Sequence, residues 1–307
     1  MDVGEEGERL SGGVLQFAAM KVGLTLPQAA DDGDGGSWAG FGGLARLADE
    51  GGADSLWVAD HFLYRDEKVE VGIHEAFTLL TAAAAVTSRV QIGPLVAATS
   101  FRSPGMLAKV ATALDFVSAG RLILGLGCGW HEAEYTAFGY PFDHRVSRFE
   151  EIVAAVRGLL HGERVSAAGR WIELEDAVIL PPPERRIPIV IASEGPRMMG
   201  ITARLADGWQ CGWSGLPDDD YRREVGSLRA ACEAEGRTEP IEILKGIDVT
   251  DDTDEGDPHL PLDASAIAEG LAAWASEGVD HVQLRVNPGT PATFEVALEG
   301  IRRFKAG

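Results

Sequence analysis

The sequence predicts an α/β chain closed into a (β/α)8 TIM barrel, with an insertion between its fourth and fifth strands. Three observations point there. Eight short apolar runs alternate with longer segments of helical spacing. The short runs are apolar almost without a break, as strands buried on both faces must be. The chain of 307 residues has room for eight such units, the size usual for one barrel.

The units follow in order. KVGLTL (21–26) is the first strand, and WAGFGGLARLADEGG (38–52) its helix, closed by glycine. SLWVAD (55–60) and RVQIGPLVA (89–97) are the next two strands, followed by EAFTLLTAAAAVTS (75–88) and SPGMLAKVATALDFVS (103–118) respectively. RLILGLG (121–127) is the fourth strand. Residues 139–186 then break the rhythm with a charged helix, VSRFEEIVAAVRGLLHG, and a hairpin-like RVSAAGRWIELEDAVILPPP. IPIVIAS (187–193), DGWQCGW (207–213), IEILKGIDV (241–249) and VDHVQLRV (279–286) complete the eight strands. Their helices are GPRMMGITARLA (195–206), DDDYRREVGSLRAACEAEG (218–236), SAIAEGLAAWASEG (265–278) and TPATFEVALEGIRRFKAG (290–307). An acidic stretch, DDTDEGDPHLP (251–261), follows the seventh strand and is expected as a mobile loop on the strand C-terminal face. Residues 1–19 start acidic and read as a loose extension rather than a signal peptide, so the expected domain is 20–307.

Composition excludes several classes. A net charge of −21 argues against non-specific nucleic-acid or anionic-membrane partners, which need a basic face. It leaves room for an anionic ligand held by a local arginine or a helix N-terminus. No run of about 18 apolar residues is present. Cys128, Cys211 and Cys232 are far apart and odd in number, which points to a reducing compartment such as the cytoplasm.

The stretch GLGCGWHEAEY (125–135) ends the fourth strand. A dinucleotide fingerprint needs a third glycine where this chain has Trp130, or Glu132 in the other frame. A phosphate loop needs Gly-Lys-Ser/Thr, and none follows. What remains is a close-approach floor for a planar ligand, beside a helix start whose free N–H groups suit a phosphate. A plain barrel strand with a tight turn is the alternative. His131 and Glu134, three apart on a helix, offer only two metal ligands, so no metal site is expected.

These segments carry a family resemblance. MKVGLTLPQ, ADSLWVADHF (53–62), the block from EAFTLL through LGCGWHEAEYTAFGYPF (75–142), and IPIVIASEGPRMMGITARLADGW (187–209) resemble the bacterial-luciferase-like superfamily. Within it they are most similar to the branch that uses the deazaflavin coenzyme F420. The resemblance implies a TIM barrel with the ring at the strand C-termini. It implies a hydride-transferring oxidoreductase acting on a small organic substrate, and a homodimer. It also implies a non-prolyl cis peptide at Leu95–Val96, with Leu95, Val96 and Ala97 backing the ring. Asp60 and His61 would face the reactive side, with His61 as acid/base or substrate-orienting group, since an imidazole suits proton transfer near neutrality. Gly127, Gly129, Trp130, His131 and Tyr135 would contact the cofactor in the fourth unit. Ser193, Glu194 and Gly195 would cradle its phosphate in the fifth, helped by Arg197.

Two departures qualify this. Glu194 stands in a stretch usually richer in glycine and serine. Trp130 stands where the sugar-phosphate dehydrogenases of the branch carry a carboxylate acid, and indole cannot shuttle protons. Trp38, Trp57, Trp213 and Phe62 are candidates for an apolar pocket with Trp130, with a core role as the alternative for Trp57. Arg102, Lys109, Arg145 and Arg148 are candidates for a groove holding the anionic cofactor tail. Three other readings stay open: an FMN-dependent monooxygenase, a non-catalytic flavin-binding barrel, and an aldolase or isomerase barrel using Lys245 or Lys21.

Overall fold

The computed structural model describes residues 20–29, 37–65, 69–252 and 258–307. In chain order the strands are β1 (Lys21–Thr25), β2 (Ser55–Val58), β3 (Leu63–Arg65), β4 (Glu70–Gly72), β5 (Gln91–Pro94), β6 (Ala97–Ala98), β7 (Leu124–Gly127), β8 (Val165–Ala168), β9 (Glu173–Ala177), β10 (Ile189–Ala192), β11 (Gly208–Ser214), β12 (Glu242–Val249) and β13 (His281–Val286). The helices are α1 (Trp38–Gly51), α2 (Ala76–Val86), α3 (Pro104–Val117), α4 (Glu132–Phe138), α5 (Arg145–Leu160), α6 (Gly195–Leu205), α7 (Asp219–Ala234), α8 (Ala264–Ser276) and α9 (Pro291–Ala306).

The main sheet is parallel and runs β5-β2-β1-β13-β12-β11-β10-β7-β6. Strands β5 and β6 are two halves of the third barrel strand, so the expected eight are all present. The Ile92–Leu122 bridge and the β6–β7 pairing close the cylinder. Outward residues such as Leu24, Leu56, Ile92 and Leu124 pack under the helices in one large core. Inward residues Trp57, Ile123, Val190 and Leu244 form a separate plug, with Leu95 packed against it. The inward set also holds Ser55, which accepts a hydrogen bond from Trp57 Nε1 and lies 2.7 Å from His281 Nε2. Total burial pushes the His281 imidazole down to about 3, so it stays neutral.

The charged helix expected within 139–186 is α5, and it packs between α3 and α6. It therefore takes the fourth place in the helix ring. The β8–β9 hairpin after it, and α4 before it, are what this unit adds to the basic repeat. The proposed extension 1–19 and the middle of the acidic stretch, 253–257, lie outside the described residues. Small fixtures hold the strand N-terminal end. Arg121 donates to the carbonyls of Ala84, Thr87 and Val90, tying the end of α2 to the turn before β7.

The third strand bends between β5 and β6, and the Leu95–Val96 peptide is cis, as the resemblance implies. The neighbouring β7 makes room for this bend. A Cβ on Gly125 would collide with the Pro94 carbonyl, and one on Gly127 would sit 2.7 Å from Val96 Cγ2. Two of the three glycines in LGLGCG thus serve the strand beside them.

Candidate active site

A cavity of about 990 Å³ opens at the C-terminal ends of the barrel strands. Its walls divide into two sides. One is built on the ends of β2, the β5–β6 bend and β7; the other on β11, β12 and β13.

On the first side His61 lies three residues past the end of β2. Its Nδ1 lies 2.8 Å from Glu134 Oε1, and the second carboxylate oxygen accepts the Phe62 amide at 2.9 Å. Glu134 is buried on the inner face of α4. A carboxylate accepts only, so the ring proton sits on Nδ1 and Nε2 is left for the cavity. Tyr64 and Trp130 stand beside the imidazole, with ring centroids 4.3 and 5.6 Å away. Trp130 is 64% exposed.

Asp60 lines the same side, but its carboxylate is fully engaged. It receives both terminal nitrogens of Arg102, at 2.7 and 2.9 Å, and the Ala98 amide at 3.0 Å. Burial pushes its carboxyl up from the ordinary range, while Arg102 and the amide pull it down. Arg102 also reaches Glu75. This network ties the end of β2 to the far side of the β5–β6 bend.

Leu95, Val96, Gly127, Gly129, Trp130, Ser193 and Glu194 line the cavity with Asp60 and His61. Ala97, His131, Tyr135 and Gly195 do not. Tyr135 is wholly buried, and its hydroxyl donates to the Cys128 carbonyl at 3.0 Å. Burial raises that phenol to about 12, so it serves as a fixed prop. It also explains Gly129, whose φ is +73° and whose Cβ would overlap the Tyr135 hydroxyl. His131 Nε2 accepts the Arg65 amide and so pins the β3–β4 hairpin. Ser193 turns inward, 2.9 Å from Thr202 Oγ1, and does not offer its hydroxyl to the cavity.

Several other candidates are placed elsewhere. Trp57 plugs the barrel, and Phe62 packs with Ala98, Phe101 and Tyr135. Trp38 lies against Phe41, and is not part of the wall. Lys109 donates to the Leu180 carbonyl, Arg148 pairs with Asp143, and Arg197 pairs with Glu150. Lys245 sits outside the barrel interior with its ammonium 5.2 Å from the Trp274 ring, away from the cavity. An aldolase-type reading therefore loses its strand lysine.

Arg145 remains. It lines the main cavity at the N-terminus of α5, and its guanidinium stacks 3.7 Å over Phe142. Its buried Nε has no hydrogen-bond partner among the described residues. Arg145 and Val146 also line an adjoining recess of about 310 Å³, together with His144, Ser147 and Arg197. Among the described residues no cluster of three or more His, Cys, Asp or Glu is placed to hold a metal, and no helix is long and apolar enough to cross a membrane.

A parallel barrel whose mouth joins a carboxylate-held histidine, a bent third strand and a cationic recess is of the TIM-barrel class found in luciferase-like enzymes. The chain belongs to the luciferase-like monooxygenase family, whose model matches residues 20–255. It is 35% identical over 239 residues to an F420-dependent glucose-6-phosphate dehydrogenase of Kineococcus radiotolerans, covering 76% of this chain and 69% of that one. It is 31% identical over 264 residues to a phthiodiolone/phenolphthiodiolone dimycocerosates ketoreductase of Mycobacterium tuberculosis, covering 75% and 67%. Its fold matches an F420-dependent secondary alcohol dehydrogenase solved with an F420–acetone adduct. The TM-score there is 0.79 at 18% identity, over 93% of this chain and 99% of that one.

Proposed function

We propose that the protein is an F420-dependent oxidoreductase that interconverts a carbonyl and a secondary hydroxyl on a small organic substrate. The observation that carries this is the His61–Glu134 pair beside the β5–β6 bend. It supplies a proton-handling atom, Nε2, on the wall where a flat ring is accommodated.

The residues present fit a deazaflavin. Gly127 and Val96 give a low, apolar surface for a tricyclic ring. The Arg145 guanidinium, in a recess continuous with the cavity, suits the anionic tail. The α6 N-terminus adds the Gly195 amide, with no neighbour crowding its Cα. Leu95, Val96, Gly127, Gly129 and Trp130 would hold the ring, and Arg145 with the Glu194–Gly195 turn the phosphate. When bound, the deazaflavin supplies or removes the hydride at the substrate carbon. In reduction the doubly protonated His61 ring gives its Nε2 proton to the substrate oxygen, and in oxidation the neutral ring takes that proton at Nε2. Glu134 fixes the ring's tautomer and steadies the imidazolium. Asp60 and Arg102 hold the wall in shape.

The test is a fluorescence titration with F420 beside one with FMN, followed by single-turnover mixing with ketones and alcohols. F420 should bind more tightly, and Arg145→Gln should weaken it about tenfold or more, as loss of a charge-assisted contact does. Tight FMN binding with oxygen-dependent turnover, and no F420 binding, would overturn the reading in favour of a monooxygenase. Binding without turnover on any carbonyl would favour a non-catalytic barrel.

The homodimer is part of the same proposal. Helix α2 carries no charged residue, and the outer face of α3 exposes Met106, Phe116 and Val117. On a chain of net charge −21 so neutral a face is suited to a second copy of itself. Phe116→Glu should convert the dimer to monomer in light scattering; a wild-type monomer would refute it. The three free cysteines accord with a reducing compartment, the cytoplasm.

A further inference from the structure

The second wall of the cavity is built around one aromatic side chain that the strand alternation would not place there. In β11, Gln210 lines the cavity, while Trp209 and Cys211 pack outward under the helices. Strict alternation would send Trp213 outward too. The β11–β12 register shifts between Cys211 and Trp213, and the extra residue brings Trp213 opposite Gly246. Only glycine is tolerated there, since a Cβ at position 246 would lie 2.6 Å from the indole. The Arg285 guanidinium sits over the same ring at 4.5 Å. Asp248, on the strand between, accepts the Arg285 Nε–H, and the terminal nitrogens of Arg285 have no partner among the described residues.

We propose that Trp213, Arg285 and Asp248 form the substrate subsite, and that it takes an uncharged ring compound bearing a ketone or secondary hydroxyl, not a phosphate ester. The proposal rests on the cofactor reading above. The indole, packed against Gly246 and under the Arg285 guanidinium, presents its exposed apolar edge to a ring. The free guanidinium N–H groups donate to an oxygen on it. The charge balance decides against a phosphate. Arg145 and Arg285 are the only arginines or lysines among the described lining residues. Arg145 faces the recess that suits the cofactor tail, and Asp248 neutralises Arg285. Glu194 adds a negative charge on the same rim. A dianionic substrate would thus meet no uncompensated cation on this wall.

The test uses the full chain with cyclohexanone as the neutral ring probe, and glucose 6-phosphate and cyclohexyl phosphate as the anionic ones. Cyclohexanone should oxidise reduced F420, and glucose 6-phosphate should leave oxidised F420 unchanged. Trp213→Ala should raise the cyclohexanone KM about tenfold, the loss of one aromatic edge contact, while F420 affinity stays within twofold. Asp248→Asn should improve cyclohexyl phosphate binding about tenfold by freeing Arg285. Turnover of glucose 6-phosphate by the unaltered protein, or an unchanged cyclohexanone KM in Trp213→Ala, would overturn the proposal. Should F420 fail to bind, saturation-transfer NMR of cyclohexanone still reads the subsite in the chain alone. Equal signals from wild type and Trp213→Ala would reject it, and a lost signal would uphold it without the cofactor.

Discussion

The two walls of the barrel mouth are built on opposite plans. On the β2–β7 side both buried carboxylates are held by fixed partners. Asp60 is held by Arg102 and Ala98, and Glu134 by His61 and Phe62. On the β11–β13 side the Asp248–Arg285 pair stands partly in solvent, with Arg285 55% exposed and its terminal donors free. The first arrangement holds atoms in place; the second leaves donors to be used by whatever enters. A site that must hold one proton-transfer geometry while accepting a particular substrate needs both, and this chain assigns them to different strands.

The largest test of that division is His61→Ala. Turnover should fall by about 10²- to 10⁴-fold, the usual contribution of a positioned acid/base, with F420 affinity nearly unchanged. A fall of less than threefold would show that the fixed wall is scaffolding only. Arg102→Met should cost about 3–5 kcal/mol in urea denaturation, because Asp60 is left buried and unpaired. The matching change on the other wall, Arg285→Met, should cost less, about 1–2 kcal/mol, since Asp248 is buried but its partner is 55% exposed and leaves a path for water to the carboxylate. Equal losses would erase the contrast.

Beneath both walls, His281 gives a pH test. Its folded pKa, about 3, lies below the ordinary 6.5. The unfolded chain therefore takes up the proton first as pH falls, and stability drops from about pH 6.5 downward. Between pH 7 and pH 5 the wild type should lose about 2 kcal/mol more than His281→Gln, 1.5 pH units at about 1.4 kcal/mol each. Parallel curves would show that the imidazole is not shielded. The mildest change to the proton-handling pair is Glu134→Gln. Its amide can still accept from Phe62 but would donate to Nδ1, moving the ring proton to Nε2. Turnover should fall about tenfold with a displaced pH profile, and Kd for F420 should hold. An unshifted profile would mean that Glu134 is structural only.

How much of this was legible in the sequence varies with the range of the interaction that decides it. All eight barrel strands were readable, because burial on both faces writes itself into consecutive residues. The β5–β6 bend was readable only through family resemblance; no local pattern in GPLVAATS announces it. The sequence places Asp60 at the end of the second strand, yet its partner Arg102 lies 42 residues on and reads there as part of a tail groove. Spacing alone pairs Glu134 with His131 as two metal ligands, although its partner is His61, 73 residues away. A signal existed: Glu134 and Tyr135 both fall on the core-facing side of a short helix, where a glutamate must have a reason. Trp213 was named as a pocket candidate. What puts it there, a register shift against β12, is set by pairing and leaves no mark in β11 itself.

The interlock between β7 and its neighbour carries a consequence for how such a chain can be rebuilt. Gly125 and Gly127 have no side chains because Pro94 and Val96 occupy that space. A larger residue at either position is compatible only with a straightened third strand, and a straightened third strand leaves those glycines facing a void. Substitutions in the two segments are therefore coupled. Anyone grafting this mouth onto another barrel has to move 91–98 and 124–129 together, whereas the Trp213–Gly246 contact can travel as a separate unit.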